Sequence, residues 1–230
     1  MELRLNWLGK EFGYYRFIEN EGILPTKENF PLETEYDGSN EALVELFLIV
    51  CRHLEIDPYK VNIRKYRDET RVLLESGVRM NFGSYSIGRY EPGLKPTVYV
   101  EESIVKTPDL VIAVLAHELS HHLLLHSGLS SVFSPDDEAL TDLTAIFFGM
   151  GVFIVNRAGR LPLLSGEKRY MSRTVAAYAL AHHAWARNEK IPGWLKYIRG
   201  EARSWCKSSI RFLLKTDKTF FRPPPRLMIC

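Results

Sequence analysis

The run Ala116-His117-Glu118-Leu119-Ser120-His121-His122 decides how the rest of the chain is read. It lies in an apolar segment that opens near Pro108 and closes at Gly128. Leu110, Val111, Val114, Leu115, Leu119, His122 and Leu123 recur at helical spacing and predict a helix with one wide buried face. Thr107 or Asp109 can cap it, and Pro108 is tolerated in a first turn. On that helix His117 and His121 are i and i+4, one turn apart on the same side. Two imidazoles so placed can aim their nitrogens at one zinc ion. Glu118, beside that face, can reach a water held there and act as general base.

A hydrolytic zinc site takes three protein ligands and keeps a fourth position open. The third ligand must come from elsewhere. Seventeen residues after His121 stands Glu138, in Asp136-Asp137-Glu138-Ala139-Leu140-Thr141-Asp142. Ser134-Pro135 opens a second helix there, expected to run to about Val155, with acids where the helix dipole favours them. Glu138 and Asp142 are again i and i+4. Glu138 can ligate, with Asp142, Asp137 and His126 as rivals. Asp142 can accept a hydrogen bond from the far ring nitrogen of a zinc histidine and so fix its orientation.

His117-Glu118-x-x-His121 followed by Glu138-x-x-x-Asp142 resembles the gluzincins, the thermolysin-like zinc peptidases with a glutamate third ligand. The short gap and the Leu-rich stretch from His117 to Leu125 are similar to the ImmA/IrrE-type soluble metallopeptidases. The CAAX-type membrane peptidases share the motif pair, but their spanning helices have no counterpart in this chain. The resemblance covers roughly residues 96–150. It implies zinc on His117, His121 and Glu138, Glu118 as base, and Asp142 behind a ligand. It also implies that the strand Thr97 to Glu101 lies at the cleft edge and pairs with an extended peptide substrate.

Around that centre the chain reads as α+β: a small N-terminal mixed sheet, a helical zincin-like core, then C-terminal helices. Its 230 residues suit one metallopeptidase-like domain. Within it, 1–60 form an extension, 61–157 the core, and 158–230 the final helices and a Pro-rich tail. Leu3 to Trp7 reads as a short strand. Glu41 to Leu54 has helical spacing through Leu43, Leu46, Phe47, Val50 and Leu54, and Asp57-Pro58 stops it. Val61 to Tyr66, Arg71 to Ser76 and Pro96 to Val100 read as strands, and the Gly- and Tyr-rich stretch Gly77 to Gly93 as a hairpin or loop. Helices are expected at 172–188 and 201–215. Arg222-Pro223-Pro224-Pro225-Arg226 cannot be helical.

The start lacks the basic stretch and long apolar core of a secretory signal. The longest apolar run, Leu143 to Val155, has 13 residues. A spanning helix needs about 20, so this one reads as core. A soluble, cytoplasmic protein without a membrane span is expected. Cys51, Cys206 and Cys230 are odd in number and far apart, which fits free thiols in a reducing compartment.

The net charge of +2 is unevenly placed. From Arg187 to Arg226 eleven Lys or Arg stand against three acids, a surplus of +8 that leaves −6 elsewhere. Arg199, Arg203, Lys207, Arg211 and Lys215 recur every fourth residue, with Trp194, Ile198, Trp205 and Phe212 expected to pack inward. A solvated helix face explains that stripe. A docking surface for nucleic acid or an acidic protein is the sharper reading. His122 and His126 are also i and i+4 but face away from the motif, which suits packed or solvated histidines. Tyr170, Tyr178, His182 and His183 are candidates to stabilise an oxyanion. The function expected is zinc-dependent hydrolysis of a protein or peptide. The alternative is a non-catalytic zinc domain with regulatory or binding duties, recruited to nucleic acid through its basic helix.

Overall fold

A computed structural model describes residues 1–19, 22–32, 35–67, 87–126, 138–158 and 171–224. In chain order the elements are α1 (Glu2–Phe12), α2 (Tyr15–Ile18), α3 (Asn40–His53), β1 (Asn62–Tyr66), β2 (Gly88–Glu91) and β3 (Thr97–Glu101). Then follow α4 (Pro108–His126), α5 (Glu138–Ala145), a π turn (Ile146–Met150), α6 (Gly151–Arg157), α7 (Arg173–Ala186) and α8 (Gly200–Thr216). This is an α+β chain, mostly helical, with a small mixed sheet. The expected strand Arg71 to Ser76 lies outside the described residues, as do most of Gly77 to Gly93 and the end of the Pro-rich tail.

The chain divides into two compact units. One, the sheet unit, comprises the described residues of Pro25–Thr141; the other, the helical unit, comprises those of Met1–Leu24 and the residues 142–158 and 171–224. The boundary falls inside α5.

In the sheet unit α3 opens on Ser39, whose Oγ accepts from the Ala42 N–H at 3.1 Å, the usual capping device. It buries Leu43, Leu46, Phe47 and Val50 and stops at Leu54, before Asp57-Pro58. The sheet order is β1-β3-β2. β1 runs parallel to β3 in the register Asn62↔Thr97, and β2 runs antiparallel in the register Gly88↔Val100. β3 is therefore the middle strand. This corrects the expectation that Thr97 to Glu101 forms a cleft edge: both its ladders are taken, and β2 is an edge strand among the described residues. The Gly-rich stretch thus contains a strand as well as a turn.

Helix α4 begins as read, with the Thr107 carbonyl accepting from Leu110 and Val111. Its burial differs from the expected single face. Every residue from Val111 to Ser120 is buried. The helix lies against β2, β3 and α3, and a helix covered on several sides is apolar all round.

The helical unit starts with a correction. Leu3, Leu5 and Trp7 alternate as in a strand, yet they lie on helix α1. Leu3 is 71% exposed, while Leu5, Leu8 and Gly9 are buried, an i, i+3, i+4 pattern. Phe17 of α2 stacks on Phe147 at 5.4 Å and meets Phe221 and His183 edge-on. The expected single helix to Val155 is interrupted. Gly149 sits at φ 93, a conformation open to glycine, and a π turn marks the break. By length and composition the run Glu138–Arg157 could cross a membrane, but 94% of its apolar window is buried inside the fold. It is a core element here. Helices α7 and α8 pack together, with Cys206 Sγ donating to the Ala177 carbonyl at 3.8 Å. Trp194 and Ile198 are buried as expected, whereas Phe212 points outward, 46% exposed.

Candidate metal centre

The sheet unit carries the centre. The helical step between His117 and His121 brings their rings within 5.0 Å, centroid to centroid. Glu138, the first residue of α5, meets both. His117 Nε2 donates to Glu138 Oε2 at 2.8 Å, and His121 Nε2 stands 3.7 Å from the same oxygen. His117 and Glu138 are buried, and His121 is partly exposed. One ligand atom from each of the three lies within 4.8 Å of the others. Donors around a tetrahedral ion at 2.0–2.1 Å would be roughly 3.4 Å apart. The 2.8 and 3.7 Å separations bracket that spacing, so small side-chain adjustments would suffice to hold a metal ion.

The electrostatics agree with this. Burial alone would raise the Glu138 pKa. Hydrogen bonds and charge from His117 and His121 instead hold the carboxyl well below its usual range. Glu138 is thus an anion before any metal arrives, and the His117 proton it accepts is one that a cation would displace. His121 Nδ1 lies 3.3 Å from Thr141 Oγ1, one turn along α5 from Glu138. This contact orients the ring, as groups behind metal ligands do. Thr141 was not among the residues singled out from the sequence; a hydroxyl one turn beyond Glu138 is the signal that could have found it.

Glu118 is 6% exposed, and neither a hydrogen bond nor an ion pair ties it to another described residue. Its carboxylate rests against β2. A β-carbon on Gly88 would stand 2.7 Å from Glu118 Oε1 and 3.2 Å from its Cγ. Glycine at that strand position makes the space. An isolated strand glycine is the one signal that could have found it.

No family model, curated protein or solved structure matches this chain.

Several other candidates have partners of their own. Asp142 is buried; one oxygen takes the Arg157 Nη2 donor and the other accepts from the Met171 N–H at 3.1 Å. His122 Nδ1 lies 3.1 Å from the Tyr90 hydroxyl, and burial, with charge from His126 and Lys60, pushes its pKa down to about 4. His126 Nδ1 contacts the His122 carbonyl at 3.1 Å; it is not among the three clustered residues. The Tyr90 ring stacks on His121 at 6.3 Å. Asp137 and Tyr170 lie outside the described residues.

Tyr178 and His182 belong to a cluster of their own in the helical unit. Tyr178 donates to Glu2 Oε1 at 2.8 Å. His182 contacts the Tyr178 carbonyl at 2.9 Å and Thr219 Oγ1 at 3.0 Å. Glu2 also accepts from the Phe220 N–H at 2.7 Å. His183 packs edge-on against Phe17. These contacts fasten α1 to the segment after α8.

Proposed function

We propose that the chain is a zinc-dependent peptidase, with His117, His121 and Glu138 as ligands and Glu118 as general base. The observation that carries this reading is the His117-His121-Glu138 set, with the Glu118 carboxylate, paired with no other described residue, one position from His117. A carboxylate on an apolar helix, tied to no other described residue, is free to face a reacting water. Nothing in the packing of α4 calls for one, and proton transfer at a reacting water accounts for it. Two imidazoles and a carboxylate are also a donor set that suits zinc in hydrolytic centres and leaves a coordination position open.

When bound, the metal supplies a Lewis acid that polarises the scissile carbonyl and acidifies water. Glu118 takes the proton of the attacking water and later delivers it to the leaving amine nitrogen. Thr141 steadies the His121 ring. The buried thiols of Cys51 and Cys206, both free, fit a reducing cytoplasm.

The test compares wild type with Glu118→Gln, both loaded with zinc, by mass spectrometry of a mixed peptide library. Cleavage by wild type and a loss of about 10²-fold or more in the variant, at equal zinc content, supports the reading. Equal cleavage by both removes Glu118 from the chemistry. Zinc uptake with cleavage by neither replaces the enzyme with a metal-binding module.

A further inference from the structure

In the helical unit the segment before α8 and one face of α8 enclose a cavity of about 520 Å³. Its apolar lining is Ile191, Leu195, Ile210 and Leu214, and the rest is Lys190, Lys207, Arg211 and Lys215. Ile191 is 84% exposed at the rim. Among the described residues no acid lines the cavity. None of the four cations has an ion pair or hydrogen bond with another described residue. The neighbouring acids are occupied: Glu189 accepts from Arg187 Nε at 2.6 Å, and Asp217 accepts from Trp185 Nε1 at 3.1 Å.

A solvated helix face would intersperse its cations with acids at i+4 and would not border an aliphatic hollow. Here charge and apolar surface converge on one place. The occupant must be anionic and must bring aliphatic side chains. Lys207, Arg211 and Lys215 follow one another turn by turn over about 12 Å of α8, more than one small head group can cover. Nucleic acid fits poorly, because the lining has no aromatic ring to stack a base.

We propose that this groove docks an acidic amphipathic helix of a partner protein. Its aliphatic side chains enter between Ile191, Leu195, Ile210 and Leu214, and its carboxylates meet Lys190, Lys207, Arg211 and Lys215. This is helix-in-groove recognition with charge setting the choice of partner.

The experiment is fluorescence anisotropy on the full chain with a labelled amphipathic peptide carrying leucines on one face and glutamates on the other. A peptide with lysine in place of glutamate, laurate and a short DNA duplex serve as comparisons. Saturable binding of the glutamate peptide, weakened about tenfold or more by the paired change Lys207→Glu and Arg211→Glu and by added salt, supports the proposal. Leu214→Asp, with an unchanged melting curve, should weaken it similarly. The proposal is overturned if the glutamate peptide does not bind, if the lysine peptide binds as well, or if both variants bind like wild type. Tighter binding of laurate or DNA at the same residues overturns it in favour of that ligand.

Discussion

Gly88 of β2 and Glu118 of α4 approach so closely that a β-carbon on the glycine would stand 2.7 Å from the carboxylate Oε1. The same carbon would stand 2.4 Å from Cγ1 of Val114, a buried β-branched side chain with little freedom to turn away. Gly88→Ala must therefore displace the strand, the carboxylate or both. We expect a stability loss of about 1–3 kcal/mol from overpacking. We also expect a fall of roughly 10²-fold in peptide turnover, from misplacing a reacting group by about 1 Å. Turnover and zinc content measured on the same sample check this; wild-type turnover would show that the approach has no catalytic consequence.

The pair Asp142 and Arg157 is buried, and Asp142 also holds the Met171 N–H. Removing one partner strands a charge. Asp142→Ala should cost about 3–5 kcal/mol in urea denaturation, whereas replacing both, Asp142→Leu with Arg157→Met, should cost much less. Equal losses would mean that the ion pair itself carries the stability.

Burial pushes the thiols of Cys51 and Cys206 up to about 12, with the charge of Asp57 adding to the effect at Cys51. The unfolded chain releases these protons from about pH 8.5, while the native chain keeps them. The unfolded state then binds fewer protons, so stability falls as pH rises from about 8.5 towards 12. The contribution is fully present below that window. The double variant Cys51→Ala, Cys206→Ala should lose less stability across it than wild type. Parallel curves would contradict the assignment.

Much of this was legible in the sequence because it is local. The helical spacing from Glu41 to Leu54, the i, i+4 histidines and the β-branched run before Glu101 each report their own backbone. What escaped depends on partners distant in sequence. β3 reads as a strand, but its middle rank follows from which strands pair with it, and no residue within it encodes that. Leu3, Leu5 and Trp7 alternate convincingly, and the exposure of Leu3 is known only once the core is built. The π turn at Gly149 hides inside an apolar run that looks the same straight or broken. Glu138 was readable as a candidate ligand at a helix start, and its 2.8 Å contact with His117 came only with the fold. The space that Gly88 leaves for Glu118 is invisible until a strand is laid across a helix.

The account's central claim is that His117, His121 and Glu138 together hold a divalent cation. The most direct measurement is the elemental content of the protein purified without chelator, repeated after equilibration with zinc and removal of the excess. About one equivalent of zinc per chain is expected, lost in His117→Ala. No stoichiometric metal in either preparation would contradict the claim, and the peptidase reading with it.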